Sequence, residues 1–491
     1  MVYFDKQQEL LNGIEKLYKA VKSTLGAKGR TVLINYDKAF LTKDGVTVAN
    51  YVKLKGLEDC GAKIIREVAN QVNKEAGDGT TTATILAYHL YKNGIKMINA
   101  GADPMSLKRG LDKGLKEVLI ELEKQKITPT ENDIKSVAII SANNDVEMGT
   151  LIYNAIKESG ENGIINVQES KGLTDEIEKS KGFQINKGFA SNYFINKKTY
   201  TEFDNSKVLL YNDRINSIQE IMPVLEFVQK DNSPLLILCK DMDSECLNTL
   251  VVNNIKGNLR ICVVKNDYLE FNDIQALCGG KIQNPTNNVY FTNIKDDLGI
   301  IEKVIINKDN STFISNNDIS EYIAELKEKL KLENDKILKE NLKQRIAKLS
   351  DGIVTIKVQA SSELETKEKR DRVDDALNSA KSAKDGVLLG GGNTLMNLKV
   401  KNNLKGDEKI GFDILLNTLK EPFNQICLNA GVSPEVVKRY KGFNILTLKK
   451  CDLYKAGILD SYKVQKTALI NAVSVVSNLL TTDCILSPED I

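Results

Sequence analysis

Gly77-Asp78-Gly79-Thr80-Thr81-Thr82 runs directly into an apolar helical pattern and is the stretch that decides the fold. The two glycines let backbone N–H groups approach an anion closely, and a helix that begins just after them adds the positive end of its dipole. Asp78 is a hard oxygen ligand, placed where it can hold Mg²⁺ on phosphates. Gly-Asp-Gly is also common turn chemistry, and a threonine at the start of a helix is an ordinary N-cap. Residues 77–82 therefore predict either a phosphate cradle or a capped helix start.

The composition is that of an ordinary globular protein. Its 491 residues correspond to about three domains of usual size. A formal net charge of +2 gives no overall field that favours nucleic acid or anionic lipid. No stretch reaches about 18 apolar residues, and the N-terminus lacks a basic segment followed by a long apolar run. We expect a cytoplasmic protein, in a bacterial or host cytosol or in an organelle matrix, that binds neither nucleic acid nor membrane.

The reactive side chains are few. His89 is the single histidine, and the eight cysteines contain no Cys-x-x-Cys pair and mostly sit among apolar neighbours. Histidine triads, structural zinc and a disulfide framework are therefore disfavoured. Any catalysis must use carboxylates, lysine, hydroxyls or a bound metal.

Periodicity predicts helical segments at both ends of the chain and an α/β segment between them. Near the N-terminus it predicts helices at 8–24, 64–72, 80–98 and 106–124, a strand at 32–34 and a hairpin at 40–48. From Gly182 to Val264 short strands alternate with helices, which is typical of an α/β domain with a covered sheet. Residues 319–350 mix Lys and Glu and predict two solvated helices rather than a nucleic-acid arm.

Three further sites carry two interpretations each. Residues 25–30, Leu25-Gly26-Ala27-Lys28-Gly29-Arg30, form either a second anion loop or a helix C-cap and turn. Asp44, at the predicted hairpin turn Lys43-Asp44-Gly45, is either a functional carboxylate or an Asx-turn residue. Asp374-Asp375, predicted at a helix mouth before Gly390-Gly391-Gly392, either orient a water or lie on a solvated helix face.

Taken together, these motifs resemble the group I chaperonins of the GroEL type, from about Tyr18 to Asp483. The matching motifs occur in family order: Thr24-Leu25-Gly26, Lys28-Gly29-Arg30, Lys43-Asp44-Gly45, Ala76-Gly77-Asp78-Gly79-Thr80-Thr81-Thr82-Ala83-Thr84, Ile140-Ser141-Ala142-Asn143, Tyr193-Phe194-Ile195-Asn196-Lys197, Asp374-Asp375-Ala376-Leu377 and Gly390-Gly391-Gly392.

The resemblance implies a multidomain α+β protomer in which the domains are discontinuous in sequence. Residues 1–123 and 386–491 would form a helical equatorial ATP-binding domain. Residues 124–180 and 353–385 would form a small intermediate domain, and 181–352 an α/β apical domain. Gly182 and Gly352 would act as hinges between the last two.

The resemblance also implies an ATP pocket with Mg²⁺ and K⁺ as cofactors. Asp78 would bind Mg²⁺, and Thr24, Lys43 and Thr81 would help to hold K⁺. Asp375 would orient the attacking water, supported by Asp44. The implied nucleotide-binding residues are Thr24, Leu25, Gly26, Ala27, Lys43, Asp78, Gly79, Thr80, Thr81, Thr82, Gly391, Asn444, Ile445, Leu446 and Asp460.

The implied function is that of an ATP-hydrolysing, ring-forming chaperone. It would bind unfolded proteins and a GroES-type lid through an apolar apical surface, as a heptameric ring, single or double. On residue type alone these apical positions would be assigned to a core. The implied surface residues are Phe189, Tyr193, Phe194, Met222, Leu225, Leu247, Val251 and Val252.

Several residues depart from the family pattern. Ala27 replaces a proline of the nucleotide loop, and residues 265–270 lack the family's longer glycine-containing basic loop. Asn424 and Ser433 stand where the family's ring-to-ring contact usually has an Arg and a Glu. A single-ring or lid-independent variant is therefore one alternative. A holdase with weak turnover is a second, and a small-molecule kinase is disfavoured because no Walker-type loop is present.

Overall fold

The computed structural model describes residues 2–4, 7–36, 39–160, 164–169, 174–180, 182–197, 200–265, 268–287, 291–315, 317–333, 335–360, 362–440 and 442–486. The chain divides into two compact units. Unit 1 comprises Met1–Asn154, Val167–Glu176 and Lys357–Ile491, and unit 2 comprises Ala155–Asn166 and Ile177–Ile356. The predicted equatorial segments thus fall in unit 1 and the predicted apical segment in unit 2. The separate intermediate domain stays a prediction.

Helices form most of unit 1. The helices of the described chain are α1 Gln7–Val21, α2 Gly45–Tyr51, α3 Gly56–Ala76, α4 Thr80–Asn99, α5 Pro104–Lys124, α6 Glu131–Ser141, α7 Val146–Ser159, α8 Met222–Asp231, α9 Ser244–Ile255, α10 Tyr268–Cys278, α11 Ile294–Asp297, α12 Ser320–Leu332, α13 Lys336–Asp351, α14 Glu363–Ser382, α15 Asn393–Asn397, α16 Gly406–Thr418, α17 Glu421–Asn429, α18 Pro434–Val437 and α19 Tyr462–Leu479.

Strands are short except in unit 2. They are β1 Val2–Phe4, β2 Val32–Asn35, β3 Ala39–Thr42, β4 Ile164–Glu169, β5 Glu176–Ser180, β6 Gly182–Ile185, β7 Thr201–Ile215, β8 Leu235–Met242, β9 Ile261–Lys265, β10 Ile282–Gln283, β11 Gly299–Ile306, β12 Ser311–Ile314, β13 Ile353–Val358, β14 Val387–Leu389, β15 Phe443–Asn444, β16 Lys449–Lys450, β17 Leu459–Ser461 and β18 Cys484–Leu486.

The two ends of the chain share one core in unit 1. Leu107 of α5 is buried with Leu415 of α16 in the same apolar cluster. At the surface, Glu408 of α16 accepts from Arg109 at 3.0 Å and from Lys113 at 2.6 Å, both on α5. Because these apolar faces are buried against each other, both ends of the sequence show the pattern of amphipathic helices.

A mixed sheet forms the core of unit 2. Its strand order is β6-β12-β11-β7-β8-β9, and β10 also pairs with β7. β7, β8 and β9 are parallel, whereas β6, β12, β11 and β7 pair antiparallel. The first five residues of β8 are all buried, as expected for a sheet covered on both faces.

Two local predictions were wrong. Lys43-Asp44-Gly45 is not a hairpin turn: β2 pairs with β3 before it, and Asp44 caps α2 after it. Asp374 and Asp375 lie inside α14, two thirds of the way along it, rather than at its mouth. The signal at Lys43-Asp44-Gly45 was misassigned because helix capping and turn formation use the same residue types. The shortened loop at 265–270 lies partly outside the described residues.

Within the described part of the chain, no helix is both long and apolar enough to cross a membrane.

Candidate nucleotide-binding site

Unit 1 contains a deep pocket of about 370 Å³ that collects the predicted nucleotide-binding residues. All fifteen of them line it, together with Asp44 and Asp375. Segments far apart in sequence therefore converge at one place. The lining that sequence reasoning did not assign includes Ser136, Ser141, Glu368, Asp371, Arg372, Ser379, Asn393, Phe423, Ile426, Val437, Phe443, Ile458 and Gln465.

The start of α4 is left without a side-chain cap. Gly79 is the N-cap residue, in the left-handed region at φ 84°, and no side chain accepts from the first turn. Thr80 is already helical, so the prediction of a threonine N-cap was wrong and the cradle interpretation is the one that the geometry favours. First-turn N–H groups without intrahelical partners are the donors that bind anions at helix N-termini.

Asp78 is held by three donors. Its Oδ1 accepts from the backbone N of Gly79 at 2.5 Å, and its Oδ2 accepts from Ser141 Oγ at 3.2 Å and from Ser379 Oγ. Burial raises the pKa of Asp78, while the hydrogen bonds from Ser379, Gly79 and Ser141 oppose that rise. The carboxylate is thus oriented before any cation arrives.

Two threonine hydroxyls meet next to the α4 N-terminus. Thr24 Oγ1 lies 3.1 Å from Thr81 Oγ1 and also donates to the carbonyl of Val21. Gly45 packs against the same place: a Cβ there would lie 2.2 Å from Thr81 Oγ1, so only glycine fits. Thr24 and Thr81, two of the three residues predicted to hold K⁺, are therefore in contact. The third, Lys43, lies in the same pocket lining and directly precedes Asp44 in the sequence.

Asp44 has a structural role as well as a place in the pocket. Its Oδ1 accepts from Val46 N at 3.0 Å and its Oδ2 from Thr47 N at 2.8 Å, which caps α2. Asp44 therefore does hydrogen-bond to the backbone that follows it, as an Asx-type residue does, but it does so as the N-cap of a helix. The same carboxylate lies near enough to Asp78 and Asp375 to raise the pKa of both.

One stripe of α14 faces the pocket. Glu368, Asp371, Arg372, Asp375 and Ser379 follow helical spacing and all line it. Burial, then the charges of Asp44 and Asp78, raise the pKa of Asp375 well above its usual range. A carboxyl with a raised pKa between two other carboxylates is typical of a functional site rather than of a solvated helix face.

The opposite part of the lining combines one carboxylate with an apolar surface. Asp460 Oδ2 accepts from Gln465 Nε2 at 3.1 Å, and backbone N–H groups of Gly391 and Gly392 also donate to this carboxyl. Burial and the charge of Asp78 raise the pKa of Asp460 to about 6. Asn444 ends β15, and its Oδ1 accepts from Leu446 N at 2.9 Å in the turn that follows. The apolar lining here comprises Pro422, Phe423, Ile426, Val437, Phe443, Ile445, Leu446 and Ile458.

This donor set fits a nucleotide with a divalent cation. An uncapped helix start suits phosphates, Asp78 offers the oxygen that Mg²⁺ prefers, and the apolar wall suits a base. The carboxylate oxygens of Asp460 can accept hydrogen bonds from hydroxyl groups and therefore suit a ribose. We infer the fit from these residues alone.

A family model covers nearly the whole chain. The TCP-1/cpn60 chaperonin family model matches residues 17–490. The chain belongs to this chaperonin family. Chaperonins are chaperones of protein folding. The predicted chaperonin family and the predicted multidomain α+β fold are confirmed at the level of the family. Assignment to group I rather than group II stays a prediction.

The predicted client surface of this chaperonin lies in unit 2 and is only partly exposed. Phe194, Leu225 and Val251 are buried in the core of the sheet domain, so direct contact with a client is not available to them in this structure. Phe189 and Leu247 are partly buried against the same core. The exposed members are Tyr193, Val252 and Met222, whose residues are 68%, 46% and 37% exposed.

Tyr193 and α9 form one continuous part of that surface. Asn254 Nδ2 of α9 donates to the carbonyl of Tyr193 at 3.2 Å. Ile255, which the sequence did not single out, is 62% exposed on the same helix. Its position three residues after Val252 is the helical spacing that should have suggested it.

The two predicted hinge glycines have different backbone roles. Gly182 is buried in β6, where a Cβ would lie 2.2 Å from Ile353 Cδ1, so close packing requires glycine there. Gly352 has φ +72° and precedes β13, which requires a residue free to adopt the left-handed region. A hinge function for either residue stays a prediction.

Proposed function

We propose that this protein is an ATP-dependent, ring-forming chaperone of the group I type that hydrolyses ATP to ADP and phosphate in the unit 1 pocket. The observation that carries the proposal is the convergence of Asp44, Asp78 and Asp375 beside the uncapped start of α4. Phosphoryl transfer depends mainly on positioning and charge stabilisation. These residues supply the positioning, while the first-turn N–H groups of α4 and bound Mg²⁺ would stabilise the charge.

Each part of the lining has a proposed task. The first turn of α4 and the loop at 24–27 bind the phosphates, and Asp460 binds the ribose. Asp375 accepts a hydrogen bond from the attacking water and so orients it, with Asp44 supporting it. Bound Mg²⁺, held by Asp78, would neutralise phosphate charge, and K⁺ would lie near Thr24, Lys43 and Thr81.

Ring formation is supported by two small sheets in unit 1. β2 and β3 form a two-stranded sheet in which Leu33 and Leu41 are register partners, exposed at 65% and 52%. β1 and β18 form a second two-stranded sheet. Isolated two-stranded sheets are marginally stable, and exposed edges with apolar pairs favour pairing with another chain. We propose that these sheets join neighbouring protomers.

Client binding is proposed for the exposed apolar residues of unit 2. Tyr193, Met222, Val252 and Ile255 offer an apolar surface of the kind that captures exposed hydrophobic segments. A GroES-type lid would compete for this surface. Asn424 and Ser433 carry no charge for a ring-to-ring ion pair, which favours a single ring or a weakly paired one.

Two measurements test the proposal together. The first is ATP hydrolysis by the wild type and by Asp375→Ala. Wild-type turnover with Mg²⁺, lost by about 100-fold or more in the variant while ADP binding remains, would support the assignment. Equal turnover in both would contradict it.

The second measurement is native mass by sedimentation, with and without Mg²⁺-ATP. Seven chains of 54.6 kDa give about 380 kDa and fourteen give about 760 kDa, so the mass separates a single from a double ring. A monomer under every condition would remove the ring and leave a holdase.

A further inference from the structure

The pocket lining is strongly acidic for a site that takes a polyanion. It contains six carboxyl side chains but only two cationic ones, Lys43 and Arg372. Mg²⁺ offsets part of this charge when bound, but a third phosphate adds more negative charge next to Asp44, Asp78 and Asp375. A further fixed cation at that end of the pocket would stabilise the terminal phosphate.

Arg372 is the cation that shares the pocket face of α14 with Asp375. It stands three residues before Asp375 on α14, so both side chains lie on the pocket face of the same helix. One end of its guanidinium is anchored, because Nη2 donates to Glu368 Oε2 at 3.2 Å. The anchor holds the group in place without taking up its other donors.

The Nε–H of Arg372 has no acceptor within the part of the chain that the structure describes. It is buried and lacks a hydrogen-bond partner among the described residues. Of the lining residues, only Arg372 and Gln465 have such an atom, and only Arg372 has an unpaired donor. A buried donor without a partner is costly, and in native structures it usually indicates a missing acceptor. Phosphate oxygens, like carboxylate oxygens, match the planar donor set of arginine.

We propose that Arg372 is a further nucleotide-binding residue that contacts the terminal phosphate of ATP and thereby distinguishes ATP from ADP. This inference rests on the proposed ATP-binding function. It assigns to α14 two tasks at one phosphate: Asp375 orients the water, and Arg372 stabilises the charge.

The test compares the equilibrium binding of two probes, ADP and the β,γ-imido analogue of ATP, both with Mg²⁺. Arg372→Gln is expected to weaken binding of the ATP analogue by about tenfold or more and that of ADP by less than about threefold. Arg372→Lys, which keeps the charge but not the planar fork, is expected to recover part of the difference. Arg370→Gln is the matched control: Arg370 lies two residues earlier on α14, outside the pocket lining, and should leave both affinities unchanged.

The outcomes separate this inference from the function on which it rests. If the wild type binds neither probe, the proposed ATP-binding function fails. If the wild type binds both and Arg372→Gln keeps the wild-type ratio of the two affinities, the assignment of Arg372 is overturned. The assignment of Arg372 is also overturned if Arg370→Gln changes the ratio of the two affinities as much as Arg372→Gln does. The change would then reflect the net charge of α14 rather than a contact between Arg372 and the phosphate. Thermal unfolding of each variant reports any purely structural loss, and Arg372→Lys supplies the ratio if Arg372→Gln does not fold.

Discussion

The hydroxyl of Ser379 on α14 donates a hydrogen bond to the carboxylate of Asp78, which precedes α4. This contact joins residues 301 positions apart in the sequence. It links the helix that carries Asp375 to the residue proposed to hold Mg²⁺. The orientation of the metal ligand therefore depends on the position of α14.

Removal of this hydroxyl should weaken Mg²⁺-dependent nucleotide binding. Ser379→Ala deletes one hydrogen bond to a charged group, so we expect about a fivefold loss of Mg²⁺-ADP affinity. The lost bond had opposed the raised pKa of Asp78, so the loss should be larger at lower pH, where a proton competes with the cation. Titrations at two pH values measure both effects. Asn378→Ala, at the preceding exposed position, is the control, and an equal loss there would contradict the prediction.

ATP hydrolysis should increase with pH until Asp375 is ionised. Asp375 accepts a hydrogen bond from water much more strongly as the carboxylate than as the neutral acid, and its raised pKa moves the acid limb of the rate profile to higher pH. Asp44→Asn removes one of the charges that raise this pKa but keeps an oxygen that can cap α2. The acid limb of this variant, normalised to its own plateau, is therefore expected at lower pH than in the wild type. Coincident limbs would show that Asp44 does not act on Asp375.

Ionised Asp460 should lower the stability of the nucleotide-free protein at high pH. Its folded-state pKa is about 6, above the usual value of about 4, so the cost is absent below about pH 4 and complete above about pH 6. Asp460→Asn removes the cost, which is about 3 kcal/mol at most for a shift of this size. We expect a higher thermal midpoint than the wild type at pH 8, a difference that shrinks as the pH falls through 6, and weaker nucleotide binding. Asp385→Asn, an exposed carboxyl outside the pocket, should change neither, and a lower midpoint for Asp460→Asn at pH 8 would contradict the account.

Charges on the β2–β3 hairpin should prevent assembly. Leu33→Lys with Leu41→Lys places like charges on an exposed cross-strand pair that the proposal buries between protomers. The sedimenting species should fall to a single chain of 54.6 kDa while Mg²⁺-ADP binding remains. Met105→Lys, on an exposed apolar residue of α5, serves as control. Intact rings in the double variant would exclude the hairpin from the interface.

Charges on the exposed apolar residues of unit 2 should abolish client capture. Tyr193→Glu with Val252→Glu is expected to lose binding of a chemically unfolded test protein by about tenfold or more, because apolar contact is replaced by two like charges. ATP hydrolysis should stay within about twofold of the wild type. Ile300→Glu, at an exposed isoleucine of β11, is the control. Capture that survives the double change would locate the client surface elsewhere.

Local pattern predicted most elements but not their partners. Helix α5, Pro104–Lys124, matches the predicted helix at 106–124 to within two residues. The turn at Lys43-Asp44-Gly45 was misassigned because an aspartate with a following glycine suits a turn and a helix cap equally well. Phe194, Leu225 and Val251 are bulky and largely apolar, as Tyr193 and Val252 are, so residue type could not show which of them the sheet domain buries.

By itself, the sequence determined the chemistry available to this protein. It supplies a glycine-led helix start at residues 77–82, carboxylates in place of histidine, and the motif order of a chaperonin. Only the tertiary structure decided that Ser379 and Ser141 orient Asp78, and that Arg372 keeps a buried donor on the pocket face of α14. The physical reason is that periodicity reports which face of an element is buried, whereas a hydrogen bond between distant segments exists only once the core has brought them together.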